Sequence, residues 1–217
     1  MTGNANGLSS TPSGFSGNPN LPVETVSWND LQVFLAELNA AESLAGRLTE
    51  GWSYVLPTEA EWEYAAQGGQ DRTEYAWGDE LMPGGVPQAN IWQGEFPIEN
   101  TMEDGYLRTS PVRSYPANAF GLFDMIGNVW EWTADYYADR HADSPMKTCC
   151  APKNPRGVSL DQSFDPAMPD IRIARKVLKG GSHLCAPNYC RRYRPAARHA
   201  QPVDTSTSHV GFRCVKR

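Results

Sequence analysis

Residues 120–132 read FGLFDMIGNVWEW, and the texture of this stretch decides what kind of fold the chain can form. Its apolar side chains come in short pieces broken by Gly121, Asp124, Gly127 and Asn128. The pieces are too short for a regular helix and do not alternate cleanly enough for a long strand. The same texture extends on the N-terminal side through YAWGDE (75–80), NIWQGEF (90–96) and SPVRSY (110–115). The pattern predicts an irregular, loop-rich body. Trp130 and Trp132 are large amphipathic rings, and core packing is the first expectation for at least one of them.

Regular structure is predicted on either side of this body. Ser27 with Asp30 three residues on has the form of a capping box, and Leu31, Phe34, Leu35 and Leu38 recur at helical spacing up to about Leu44. VLPTEAEWEYAA (55–66) gives a second helix, with Thr58 as N-cap, Glu61 at the reciprocal position and Gly68-Gly69 as the stop. RKVLKGGS (175–182) and HVGFRCVK (209–216) have strand character. Residues 1–20 are Gly, Asn, Ser and Pro with few large apolar side chains, which predicts a flexible N-terminal arm before one domain over 21–217. Residues 138–170 carry five prolines and no periodicity, and read as a long surface excursion. The fold class is α+β, with two main helices, short strands and many loops.

Composition narrows the function classes. The 217 residues include 19 basic and 25 acidic side chains, a formal net charge of -6, which gives no general attraction to nucleic acid or to an anionic membrane. The longest apolar runs fall far below the roughly 20 residues of a membrane span. The opening residues have neither a positive n-region nor an apolar h-region, so a bacterial-type cytoplasmic location is expected. Five cysteines make an odd number, so a pure disulfide framework would leave one thiol over.

The chemistry concentrates in GGSHLCAPNYCRRYRPAAR, residues 180–198. The Pro-Asn of CAPNYC favours a turn that lets the sulfurs of Cys185 and Cys190 approach, and Arg191, Arg192, Arg194 and Arg198 supply a field favouring thiolate. On spacing alone a local disulfide and a reactive thiol pair stand about equal. Zinc lacks a partner pair, since Cys149 and Cys150 are adjacent and Cys214 stands alone. His141, His183, His199 and His209 show no i, i+4 pairing of a metal-binding helix, and no phosphate-cradling or nucleophile-elbow motif occurs. The loop acids Asp104, Asp124, Glu131 and Asp135 suit calcium chemically, but their spacing matches no twelve-residue calcium loop. Solvated turn acids are the better reading of those residues alone.

The segments LPTEAEWEYAA, YAWGD, ANIWQGEFP, NTMEDGY, GLFDMIGNVWEWTAD, KGGSHLCAPNYCRRYRPAAR and HVGFRC, in that order over residues 21–217, resemble the formylglycine-generating enzymes, or sulfatase-modifying factors. The first two are shared with a wider superfamily of lectin-like binding proteins and non-heme iron enzymes; the cysteine segment is specific to the oxidases. The resemblance implies a C-type-lectin-like, sulfatase-modifying-factor fold. It implies an oxidase that converts a cysteine in a C-x-P-x-R segment of a sulfatase polypeptide to Cα-formylglycine using O2. It further implies Cu(I) on Cys185 and Cys190, an active-site serine at Ser182, a pocket tryptophan at Trp130 and Tyr189 lining the site. Two calcium sets carry over in the same way. One is Asn90, Ile91, Asp104 and Tyr106; the other is Asp124, Gly127, Val129 and Glu131, with Ile91, Tyr106, Gly127 and Val129 acting through carbonyls. The family's opening segment, of the type IPGGxFxMG, is not found here, so a member lacking the usual N-terminal third is expected, acting as a monomer. A non-catalytic lectin-like binding module is the alternative, and the missing pattern of histidines argues against an iron enzyme.

Overall fold

The computed structural model describes residues 7–70, 73–139 and 157–217. His141, Cys149, Cys150 and most of the 138–170 excursion lie outside the described residues. Two helices and six strands lie within them, an α+β arrangement.

Both helices begin where the local chemistry predicts. Helix α1, Trp28–Leu44, starts on Ser27, whose hydroxyl accepts from the Asp30 N–H while the Asp30 carboxylate accepts from the Ser27 N–H. Helix α2, Glu59–Gln67, repeats the device with Thr58 and Glu61 and ends at Gly68 in the left-handed region (φ 59). Each reciprocal box satisfies two of the N–H groups a helix start leaves orphaned. Leu31 and Leu35 of α1 and Trp62 and Ala66 of α2 are buried.

Strand β1, Tyr54–Val55, pairs antiparallel with β6, Val215–Lys216. The main sheet has the order β4-β3-β2-β5, from β2 (Trp130–Tyr136), β3 (Arg175–Lys179), β4 (His199–Pro202) and β5 (Val210–Gly211). Strands β2/β3 and β3/β4 are antiparallel; β2/β5 is parallel. The seven-residue β2 is longer than the broken pattern of its sequence suggests, because partners on both sides supply its ladder. Trp130 and Trp132 are both buried.

Strand β3 carries two buried lysines, which need partners to be tolerated. Lys179 Nζ lies 2.9 Å from Glu63 and 3.8 Å from Glu59, tying β3 to α2. Lys176 Nζ donates to the Ala134 carbonyl at 2.6 Å and sits over the rings of Tyr136 and Trp28. Residues 7–27 run along the surface with Leu8 buried and the Phe15 N–H donating to the buried Glu24 carboxylate at 2.7 Å. Among the described residues no helix is long and apolar enough to cross a membrane.

The irregular stretch ahead of β2 is shaped by left-handed residues at Gly121, Asp124, Gly127 and Asn128. Asn128 binds the surrounding loops together. Its side chain accepts from the Ser110 N–H at 3.0 Å and donates to the Ser110 carbonyl at 3.1 Å. Its backbone N–H donates to the Asn90 carbonyl, and its own carbonyl accepts from the His183 N–H. Truncating this buried amide orphans a donor and an acceptor and puts alanine at φ 61. Asn128→Ala is therefore expected to lower unfolding free energy by roughly 3 kcal/mol, read from urea melts at unchanged m-value.

Candidate active site at the Cys185–Cys190 pair

The cysteine loop leaves β3 through two glycines that only glycine can supply. Gly180 (φ 92) and Gly181 (φ 73) are left-handed, and a Cβ on Gly181 would stand 2.9 Å from the Tyr193 Cα. Beyond them the Cys185 N–H donates to the Ser182 carbonyl at 2.9 Å, and the Cys190 N–H returns to the Ala186 carbonyl at 2.9 Å. This single turn brings the two sulfurs to 3.3 Å. A disulfide would hold them at about 2.0 Å, so the pair is a dithiol.

The two sulfurs are not equivalent. Cys185 is only 2% exposed, while Cys190 is half-buried and reachable. The hydrogen bond between the two sulfurs lowers the Cys190 pKa below the ordinary thiol value against the opposing effect of burial, with further help from the Arg192 charge. The same hydrogen bond, together with burial, pushes the Cys185 thiol up. The pair is thereby biased toward a buried thiol beside an accessible sulfur that gives up its proton more readily. Of the four arginines expected to supply the field, Arg192 is the one that acts on Cys190. Arg191 is engaged by Glu74, Arg198 donates to Glu59 at 2.7 Å, and Arg194 donates to the Arg191 carbonyl at 3.0 Å.

The other predicted site residues gather here in different degrees. Ser182 is buried, its carbonyl accepts from the Cys185 N–H at 2.9 Å, and its hydroxyl accepts from the Leu184 N–H at 3.3 Å. Trp130, at the head of β2, packs in the same core cluster as Cys185. Tyr189 is 69% exposed and stacks on Phe96, with ring centroids 4.5 Å apart, and Trp92 stands edge-on behind Phe96 at 5.0 Å. Trp92 is fixed to the loop by its N–H, which donates to the Cys185 carbonyl at 3.1 Å. Sequence reasoning missed this aromatic rim, whose only signal is the recurrence of aromatics around Gln93-Gly94. A cavity of about 170 Å³ beside it is lined by Ile91, Trp92, Gln93, Glu103 and Pro187.

The two expected calcium sets differ. In the set Asn90, Ile91, Asp104 and Tyr106, the Tyr106 N–H donates to Asp104 Oδ1 at 2.9 Å, and the Ile91 backbone lies close enough to that carboxylate to oppose the rise in its pKa. Among the described residues Asn90 Oδ1 and Asp104 Oδ2 are buried without a hydrogen-bond partner, and burial raises the Asp104 pKa. Buried acceptors lacking a donor fit a hard cation. Asp124, Gly127, Val129 and Glu131 line a second cavity of about 480 Å³ together with Arg213. There Glu131 already accepts from Arg213 Nε at 2.6 Å and Nη2 at 2.7 Å, and from Trp62 Nε1 at 2.6 Å. The second set thus carries its own cation. Among the described residues no cluster of three His, Cys, Asp or Glu side chains suited to a metal ion occurs.

The chain belongs to the sulfatase-modifying factor family: the model of the sulfatase-modifying factor enzyme 1-like domain matches residues 3–217. It is 56% identical over 161 residues to the formylglycine-generating enzyme of Mycobacterium tuberculosis, covering 74% of this chain and 50% of that protein. It is 46% identical over 203 residues to the formylglycine-generating enzyme of Streptomyces coelicolor, covering 93% and 54%. The chain spans about half the length of these curated relatives. Among solved structures it superposes on the Treponema denticola variable protein 1 with a TM-score of 0.67 at 23% identity, over 94% of this chain and 77% of that one, a likeness of fold.

The proton arrangement at the pair has a direct readout. In the metal-free protein, iodoacetamide labelling of Cys190 followed by peptide mass is expected to rise through a midpoint well below the ordinary thiol value. Cys185 and Cys214, the latter pushed up to about 11 by burial, are expected to stay unlabelled at neutral pH. An ordinary thiol midpoint of about 8.5 at Cys190 would contradict this lowering.

Proposed function

We propose that this chain carries the oxidase centre that converts a cysteine in a C-x-P-x-R segment of a sulfatase polypeptide to Cα-formylglycine, with O2 as acceptor and Cu(I) held by Cys185 and Cys190. The observation that carries the reading is the pair of free thiols 3.3 Å apart, one sulfur buried and one reachable, within a chain of this family. The names of its relatives support the same activity.

Two thiolate sulfurs are soft donors of the kind Cu(I) takes. When bound, that ion would supply the reactivity toward O2 that no side chain at the site offers. The chain's own residues do the remainder. Cys190 gives up its proton more readily than Cys185, so the tightly held proton that has to leave when both sulfurs become ligands is the one on Cys185. The Ser182 carbonyl, accepting from the Cys185 N–H, fixes the backbone that carries the buried sulfur. Buried Trp130 and Tyr193 keep water from the inner side of the pair. Tyr189, Phe96 and Trp92 form an exposed rim on which an extended peptide can lie while its cysteine reaches Cys190.

Calcium belongs to the same proposal at Asn90, Ile91, Asp104 and Tyr106, where it would satisfy Asn90 Oδ1 and Asp104 Oδ2 and hold the 90–106 segment beneath the aromatic rim. A second ion at Asp124, Gly127, Val129 and Glu131 would have to share Glu131 with Arg213.

Incubation of the protein with Cu(I), O2 and a C-x-P-x-R peptide is expected to convert the peptide thiol to an aldehyde, detected by mass. Cys190→Ala is expected to abolish turnover; near-full activity in that variant, or no aldehyde from the folded, copper-loaded protein, would overturn the reading. Calcium at 100 times its dissociation constant is expected to stabilise the chain by about 2.7 kcal/mol in thermal melts, and Asp104→Asn to remove most of that gain.

A further inference from the structure

We propose that the cavity beside the aromatic rim is the subsite for the arginine of the C-x-P-x-R segment, with Glu103 as the residue that reads its charge. The inference rests on the reading of this chain as the oxidase centre for that segment.

The cavity continues the surface on which the peptide lies. Trp92 belongs both to the rim and to the cavity wall, and Pro187, three residues before Cys190, forms part of the same wall. Two ring contacts, 4.5 Å from Tyr189 to Phe96 and 5.0 Å from Phe96 to Trp92, lead from the cysteine loop to this wall. Four residues of extended chain span up to about 14 Å, so a segment with its cysteine at Cys190 can bring its arginine to the cavity.

The lining suits that side chain. Trp77, Leu81, Met82 and Trp92 supply apolar and aromatic walls, and among the described residues lining the cavity Glu103 alone is ionisable. Arginine combines a methylene stem that lies along apolar surface, a planar cation that stacks on indole and a fork that fits a carboxylate. Lysine brings only a point charge. The Thr101 hydroxyl donates to Glu103 Oε1 at 3.2 Å, and among the described residues no Lys or Arg pairs with this carboxylate. Glu59, Glu74 and Glu131, in contrast, each hold an arginine of the chain.

The loop that carries Glu103 is closed on itself. The Gln93 carbonyl accepts from the Thr101 N–H at 2.8 Å, and Trp92 Nε1 donates to the Glu99 carbonyl at 3.0 Å. Gly94 (φ 96) permits this closure, since a Cβ there would stand 2.7 Å from the Glu99 carbonyl oxygen. Charge then sets the direction of the peptide. Residues 95–104 hold four acidic and no basic side chains, whereas Arg192 and Arg194 follow Cys190 and pair with no carboxylate among the described residues. The arginine end of the segment is drawn toward the first loop and repelled by the second. A merely solvated acid at Glu103 would bind no peptide selectively, and the two roles separate by substitution.

The test titrates copper-free protein, at fixed calcium, into a fluorescein-labelled sulfatase segment with alanine in place of its cysteine, read by anisotropy. Glu103→Gln, isosteric at an exposed position, is expected to weaken binding about three- to tenfold at an unchanged urea midpoint. A peptide with glutamine in place of the arginine is expected to bind the parent protein that weakly, and to bind Glu103→Gln no worse. Glu103→Lys is expected to prefer a peptide with glutamate at that place. Equal binding of the arginine peptide by parent and Glu103→Gln, the same loss with the glutamine peptide, or no binding by the parent overturns the proposal. Because the titration needs neither copper nor O2, charge-coupled binding without aldehyde formation sinks the oxidase reading alone. Aldehyde formation with the same KM in parent and Glu103→Gln sinks the arginine subsite alone.

Discussion

The buried amide of Asn128 is the constraint on which the arrangement around the cysteine pair depends. Loop-rich folds have few ladders to satisfy their backbone groups, so side chains must do it. Asn128 does this for three separate segments: its side chain pairs with Ser110, its N–H meets Asn90, and its carbonyl receives His183. The segment bearing the unpartnered acceptors Asn90 Oδ1 and Asp104 Oδ2 and the loop bearing Cys185 are thereby held to one residue at the mouth of β2. The left-handed backbone at Asn128 is what aims all three, and asparagine tolerates that conformation better than most residues.

From that hub the chemistry of the pair follows by burial and donor supply. The Gly180-Gly181 turn sets the loop tight against Tyr193, which places Cys185 inside and Cys190 at the surface. Burial penalises a charge on Cys185, whereas Cys190 has a thiol donor and an arginine to stabilise its charge. The asymmetry needs no catalytic base. It arises from which side of one turn faces solvent.

The two acid-bearing loops show how similar residue types can reach different electrostatic ends. Asp104 is half-buried and its Oδ2 has no hydrogen-bond partner among the described residues, whereas Glu131 is met by the fork of Arg213, contributed by the segment after β5. Bidentate guanidinium pairing satisfies both carboxylate oxygens at once, so the Glu131 loop is neutralised from within the chain. The Asp104 loop is where the proposed calcium would bind.

The sequence by itself determined the two helices, because Ser27/Asp30 and Thr58/Glu61 act within one turn and need no distant partner. It also determined the irregular body, through closely spaced glycines and asparagines, and the turn that brings Cys185 to Cys190. Tertiary structure decided the rest. The length of β2 depends on β3 and β5, which lie far along the chain. That Arg192 rather than Arg191, Arg194 or Arg198 serves Cys190 depends on where Glu74 and Glu59 fall in space. Local hydrogen bonds close over three or four residues and can be read from spacing, but the charge on a sulfur is fixed by groups that meet only after the chain has folded.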